Sequence, residues 1–311
     1  MQIRPINLLD IMMLRNFSAS LLSLDSARVI TYGKALSPFS LLYRLNRRLQ
    51  VYTAVCEDGR HPLMGQVTHD HSESFARLAF LSPQDDLKGE EALLLDHLAN
   101  QTGEWGALYL VAEVDEHHDA FKSLRKAGFA MYAWQKIWRL PSGQERHVQW
   151  RHPSASDLLA VQNLYHELVP LLMQVVEPAP RPGRNLVCFA GSELQAFVSL
   201  TYGPFGIWAQ PLIHPDSSCP TECLRALPAS IPAIRKPPVF LCLRSNQAWL
   251  ESALQECEAE ITLQQAVMVK HLAVMQREDV KRTVPQKAFA KPAAPLSHSV
   301  KDSSVYRTVD R

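Results

Sequence analysis

No apolar run in this chain approaches the roughly 20 residues that a membrane-spanning helix needs, so a bilayer anchor is not expected. Charge of either sign is not in excess: 32 Lys and Arg stand against 31 Asp and Glu, a formal net charge of +1. Domains that bind nucleic acid through bulk charge usually carry a clear basic excess, which argues against that class of partner. Cysteine is sparse, with 6 in 311 residues, and Cys56, Cys188 and Cys242 fall in apolar strand-like runs such as "VCF" and "FLCL". A thiol there behaves as a small hydrophobe, and the sequence fits a reduced, cytoplasmic setting better than a disulfide framework. Cys219 and Cys223 have no second pair at zinc spacing, so a structural zinc is not expected. Gly-x-Ser-x-Gly, the Walker loop and the dinucleotide fingerprint are all missing. The opening "MQIRPINLLDIMMLRNF" has an apolar face but carries Asp10 and Arg15 and no small-residue cleavage site, unlike a secretory signal.

What remains is ordinary globular composition, 47% hydrophobic and 20% charged, over a length that suits about two domains of roughly 150 residues each. The polar stretch "LPSGQERH", with Pro141 and Gly143, separates two patterned regions. It divides the chain into a first domain at 1–140, a linker at 141–147 and a second domain at 148–275. From 276 to 311 the apolar period disappears. From Arg277 on, eight Lys and Arg stand against four Asp and Glu, which reads as a disordered, mildly basic tail.

Within the first region, "QIRPI" reads as a strand, and "NLLDIMMLRNF" as a helix capped by Asn7. "SPFSLLYRLN" has helical spacing. "LQVYTAVCE", "PLMGQVTHDH" and "SFARLAFLSP" read as strands. "DDLKGEEALLLDHLANQTG" is a helix with acids in its first turn and leucines on one stripe. The continuous apolar run "ALYLVAEV" predicts a buried strand. "HHDAFKSLRKAG" predicts a short helix closed by Gly128 in the left-handed conformation, and "FAMYAWQKIWRL" a last strand. The second region repeats this plan: a strand at "VQWRHP", a helix capped by Ser154 or Ser156, a hairpin around "SE", the strand "FGIWAQPLIHP", a poor helix at "CPTECLRALPASIP", the buried strand "PVFLCLRS", a helix at "QAWLESALQECEAE" and a closing strand "ITLQQAVMVKHL".

Isolated identities support an internal repeat. Arg4 and Asp10 stand six apart, as do Arg151 and Asp157, while Leu124 matches Leu254 and Gln135 matches Gln265 at an offset of 130.

The order of buried strand, short helix, "GF" and closing strand over 107–129 resembles the GNAT superfamily of acetyl-CoA-dependent N-acyltransferases. That family shows a strand, then Asn, Ala three residues on, Tyr four later and Gly-Phe after three more. Ala120, Gly128 and Phe129 match, whereas His117 and Leu124 stand where Asn and Tyr belong. The resemblance implies an α/β (α+β) fold: two tandem GNAT-like domains, each a mixed, mostly antiparallel twisted sheet flanked by helices. It also implies acetyl-CoA as acyl donor, held along the splayed strands, a small-molecule or peptide amine as acceptor, and no metal, nucleic acid or membrane partner. A diphosphate sits well where unpaired amides at a strand end and helix start face it. The corresponding first-half stretch is "DLKGEE", which places cofactor contacts at Phe80, Leu81, Leu87, Lys88, Gly89, Glu90 and His117. Asp85, Asp86 and Glu90 crowd that turn, and Glu91 replaces a small residue. The second half has no glycine there, and Glu258-Ala259 replace the Gly-Phe pair, so it is expected to lack a cofactor of its own.

No catalytic acid or base follows from the sequence, although Glu73 and Glu113 are possible bases. His69 and His71 would share one side of a strand, a spacing that suits a metal or an ordinary strand edge. Tyr132, Trp134 and Trp138 alternate on one strand and predict an aromatic face, for packing or for an acceptor pocket; Tyr202, Phe205 and Trp208 are their second-half counterparts. Two functions compete: acyl transfer to an amine, which needs little beyond orientation and deprotonation, or a non-catalytic GNAT-like protein that binds a ligand or partner.

Overall fold

The computed structural model describes residues 2–7, 10, 20–35, 37–43, 47–57, 62–84, 91–142, 149–181, 183–232 and 237–272. The expected helix at 7–17, the linker and the basic tail therefore lie wholly or largely outside the described residues. The first half runs β1 (Gln2–Pro5), β2 (Leu22–Ser23), α1 (Ser26–Tyr32), α2 (Pro38–Tyr43), β3 (Leu49–Glu57), β4 (Leu63–Asp70), β5 (Phe75–Ser82), α3 (Ala92–Glu104), β6 (Tyr109–Val114), α4 (Asp119–Lys126) and β7 (Ala130–Arg139). The second runs β8 (Trp150–Arg151), α5 (Leu158–Leu168), α6 (Leu171–Gln174), β9 (Asn185–Ala190), β10 (Glu193–Tyr202), β11 (Ile207–Ile213), α7 (Pro220–Ser230), β12 (Val239–Arg244), α8 (Glu251–Glu256) and β13 (Glu260–His271).

The alternating and continuous apolar runs form the strands the sequence predicts, and they join into one mixed sheet. Its order is β1-β3-β4-β5-β6-β13-β7-β12-β11-β10-β9-β8, with β2 beside β5. Among the described residues only β5–β6 and β11–β12 pair in parallel. The closing strand of each half is inserted into the sheet of the other: β13 lies between β6 and β7, and β7 lies between β13 and β12. The exchange centres on Gln135 and Gln265, which face each other in register and are joined by a 2.9 Å bond from Gln135 Nε2 to Gln265 Oε1.

The repeated residues adopt the same geometry twice. Arg4 forks onto both oxygens of Asp10 at 2.6 and 3.0 Å, and Arg151 onto both oxygens of Asp157 at 2.6 and 2.9 Å. Each aspartate also accepts the backbone N–H of the residue three before it, Asn7 and Ser154. Hydrogen bonding from Arg151, then from Ser154, holds the Asp157 carboxyl well below the usual range, and Arg4 and Asn7 lower Asp10 in the same way. Leu124 and Leu254 are both fully buried.

Gly128 takes the predicted left-handed conformation, φ 85°, after α4. Glu258 takes it too, at φ 58°, although it has a Cβ. In both places the turn closes with a five-residue and a three-residue return: Phe129 N to Leu124 O and Gly128 N to Arg125 O, then Ala259 N to Leu254 O and Glu258 N to Gln255 O. The expected helix over 247–260 is shorter than its pattern. A 3-10 turn over Ser245–Leu250 leads into α8.

Two helical layers sandwich the sheet. On one face α3 and α4 bury Leu94, Leu95, Leu98 and Leu124 against β3–β6, and α7 and α8 bury Cys223, Leu224, Leu227 and Leu254 against β9–β12. On the other face the halves cover each other. Tyr165, Val169 and Met173 of the second half pack on Phe75, Val111, Val267 and Val269, while Ala27 and Ile30 of α1 pack on Trp208, Phe240 and Cys242. The α1 contact is close: a Cβ on Gly203 would stand 2.1 Å from the Thr31 carbonyl oxygen. Buried aliphatic and aromatic side chains contribute roughly 1.5–3 kcal/mol each, so the exchanged strands and crossed helices bind the halves tightly.

Candidate functional site

In both halves the parallel strands part after three pairs. β5 and β6 pair at Phe75–Tyr109, Ala76–Leu110 and Arg77–Val111, and β11 and β12 at Ile207–Val239, Trp208–Phe240 and Ala209–Leu241. Beyond these pairs lie the grooves in which the family resemblance places an acyl-CoA.

The first groove is filled by the chain itself. Leu22 and Ser23 pair with Leu81 and Phe80. Leu24 N then donates to Ala79 O at 3.0 Å, and Leu24 O accepts from Glu113 N at 2.9 Å, so one residue stitches both walls together. Leu24 is 1% exposed and joins the first-half core. Asp25 caps α1 by accepting from Arg28 N, and Ser26 N donates to Glu113 Oε2 at 2.9 Å. The other edge of β5 is paired with Gln66 and Gly65 of β4, so Phe80 and Leu81, both fully buried, have no free strand edge. Of the other expected cofactor contacts, Leu87, Lys88, Gly89 and Glu90 lie outside the described residues. His117 stands in solvent before α4 with its backbone N–H on Asp115, 87% of its side chain exposed. Phe80 and Leu81, two of the expected cofactor contacts, are thus paired on both edges, by β2 on one side and β4 on the other. At the start of α3, Glu91 is fully buried; its Oε1 accepts from Ser123 and its Oε2 has no hydrogen-bond partner among the described residues. A buried carboxylate there repels a diphosphate.

The second groove is bridged by a side chain. Gln247, 2% exposed, accepts from Ile213 N at 3.0 Å and donates to Pro211 O at 2.8 Å, which imitates a missing strand.

On the face where the helices cross, the strands carry polar groups into the interior. Ser26 donates to Gln265 Oε1 at 2.6 Å, Arg244 donates to Gln135 and pairs with Glu177, and Arg77 stands 3.8 Å from Glu113. Beside this cluster lies a cavity of about 370 Å³, between β5, the segment 176–185 and strands β10–β12. It meets a second of about 160 Å³, under α1 and α2, at Glu73, Arg77 and Thr201. Burial pushes the Glu73 carboxyl up, with Arg77 pulling the other way. Burial alone would lower Arg77, but Asp25, Glu73 and Glu113 more than offset it and hold the guanidinium charged. Cys242, in the larger cavity, is pushed up to about 12 by burial and is no nucleophile near neutral pH. A third cavity, about 470 Å³, lies away from the grooves beside Arg139, Pro228 and Glu258.

The other sequence candidates lie apart from these cavities or in the cores. His69 is buried, with Nδ1 3.1 Å from Phe75 O and its ring 5.9 Å from that of His71. Among the described residues no group of three or more His, Cys, Asp or Glu is placed to hold a metal, and no helix is long and apolar enough to cross a membrane. No disulfide joins the six cysteines, and Cys223 Sγ lies 3.8 Å from Cys188 Sγ. The expected aromatic face of β7 is also corrected. Trp138 sits in the second-half core, Trp134 packs on the first-half core, and Tyr132 joins the cluster around Val267 and Val269. Register shifts along β7–β13 break the alternation. Of the second-half rings, Trp208 packs under α1, Tyr202 lies against the second core, and Phe205 is exposed at 49%.

No family model matches the chain, and no curated protein matches it in sequence. Solved structures match its fold. A GCN5-related N-acetyltransferase from Sphaerobacter thermophilus superposes with a TM-score of 0.53 at 10% identity, covering 87% of this chain and 95% of that one. A GCN5-related N-acetyltransferase from Kribbella flavida gives 0.49 at 12% identity, over 74% and 92%. A tandem GNAT protein from the clavulanic acid biosynthesis pathway gives 0.46 at 11%, over 87% and 98%. With its splayed parallel strands and twice-repeated element order, the chain has the fold of the GCN5-related N-acetyltransferases.

Proposed function

We propose that the chain is a non-catalytic binding protein on an acyltransferase fold, holding a small molecule in the cavity between its crossed helices. Leu24 carries this reading. Its backbone bonds to Ala79 and Glu113 occupy the groove that a pantetheine arm would have to line. Displacing it would expose a buried leucine and unpair two interior peptide groups, each at a cost of roughly 1–3 kcal/mol. Glu91 at the start of α3 and Gln247 across the second groove support the same reading. Calorimetric titration of the full chain with acetyl-CoA is the test. No binding is expected up to millimolar ligand, and a saturable isotherm would overturn the reading.

One observation favours acyl transfer instead. Glu73 borders both cavities, and its raised carboxyl could accept a proton from an amine acceptor. Under that alternative, acetyl-CoA is the donor, residues 22–25 withdraw on binding, and acetyl transfer to an amine accompanies the isotherm.

A further inference from the structure

The cavity of about 370 Å³ is lopsided in charge. Arg77, Arg181, Arg184 and Arg244 line it, against Glu73 and Glu177. Arg244 and Glu177 are already paired with each other. Among the lining residues that leaves three guanidinium groups and one carboxylate, Glu73, which burial pushes toward its neutral form; Asp25 and Glu113, outside the lining, also act on Arg77. A cationic amine would enter this space against the field, whereas an anion is drawn in.

The three guanidinium groups differ in how much of each is already used. Arg181 donates to Ser72 O at 3.0 Å, and Arg184 lies over the Tyr202 ring at 5.2 Å. The Arg77 Cζ lies over the Phe75 ring, 4.9 Å from its centroid. Its nearest carboxylate oxygen, on Glu113, is 3.8 Å away, beyond hydrogen-bond reach. The side chain is 29% exposed at the junction of the two cavities. A guanidinium so placed has the geometry to take a carboxylate with two parallel bonds.

The remaining wall is apolar. Tyr165, Val169, Phe197 and Leu212 line the same space as Phe75. At about 30 Å³ of liquid volume per water, 370 Å³ holds roughly a dozen waters, far more than an inorganic anion needs. We infer that this cavity binds a small organic acid, its carboxylate on Arg77 and its apolar body against Phe75, Tyr165 and Leu212. Arg181 and Arg184 attract the ligand from the rim, and Glu73 sets an upper limit on its negative charge. The inference supplies a ligand class for the binding reading above and rests on it.

Calorimetry on the full chain with benzoate as probe tests it, beside benzyl alcohol as the uncharged analogue and inorganic phosphate as an anion without an apolar body. Benzoate should bind at least tenfold tighter than either. Arg77→Gln should weaken benzoate at least tenfold, and Arg77→Lys should weaken it by less. Because Arg77 also faces Glu113, Arg184→Gln on the exposed rim is the second variant: it should keep the thermal midpoint and weaken benzoate two- to fivefold. Equal affinity for benzoate and benzyl alcohol, no benzoate binding at millimolar concentration, or unaltered binding in both Gln variants would overturn the inference. Failure of benzoate together with absent acetyl-CoA binding would remove only the ligand class. Acetyl-CoA binding would remove the reading beneath it.

Discussion

Glu258 and Gly128 occupy the same turn in the two halves, and the pair makes a quantitative test of the repeat. Both follow a short helix, both have positive φ, and both close the same pattern of returning hydrogen bonds. The left-handed conformation costs a residue with a Cβ about 1–2 kcal/mol, and glycine escapes this cost. Against that gain, glycine loses about 0.5–1 kcal/mol more conformational freedom on folding. Glu258 is exposed, so its replacement removes little packing. Glu258→Gly should therefore stabilise the chain by about 0.5–1 kcal/mol, raising the thermal midpoint by roughly 1–4 °C for a protein of this size. Gly128→Ala should do the reverse by about 1 kcal/mol, since open space surrounds the position and only conformational strain enters: the nearest atom to a new Cβ, Lys270 Cε, is 3.9 Å off. Differential scanning calorimetry on the two variants measures both. A midpoint that falls in Glu258→Gly, or holds in Gly128→Ala, would refute the assignment of these residues to one repeated turn.

Three further outcomes follow from the packing. Asp157→Asn should flatten the acid limb of the stability curve: the folded carboxyl lies below its unfolded value of about 3.9, so its contribution is present above that pH and lost as pH falls through the folded value. Urea midpoints between pH 5 and 2 read this directly. Leu24→Ala should cost about 2–5 kcal/mol, as for other fully buried leucines, measured by urea unfolding at neutral pH. Gly203→Ala should cost at least 1–3 kcal/mol, because the new methyl meets the Thr31 backbone rather than a movable side chain; a soluble variant with an unchanged thermal midpoint would contradict the close approach of α1.

Much of the architecture was legible in the sequence because apolar period and cap residues are local signals. Every strand read from an alternating or continuous apolar run over 49–140 is present, and Gly128 closes its helix as its position predicts. The Arg–Asp spacing reported the repeat because a guanidinium that forks onto a carboxylate after a turn needs that carboxylate at a fixed distance along the chain. The exchange of β7 and β13 left no local trace, since strand order depends on which edge each strand finds, and both halves offer equivalent edges. The closed groove was hidden for a related reason. "LSLDS" is too short to show a period, and its two-residue strand exists only because β5 and β6 part beside it. Asp25 before α1 and Gly33 after it were the readable signals of that segment. Gln247 carries no sequence signal at all: its role follows from the length of its side chain and from where the 3-10 turn delivers it.

The central claim is that the chain closes its own first groove through Leu24. Residue-resolved amide hydrogen exchange on the full chain, with and without acetyl-CoA, reaches that claim directly. The Leu24 and Glu113 amides should exchange as slowly as those of the core strands, and acetyl-CoA at millimolar concentration should not change either rate. Fast exchange at Leu24, or loss of its protection when acetyl-CoA is added, would mean that the groove opens and that the acyltransferase site is intact.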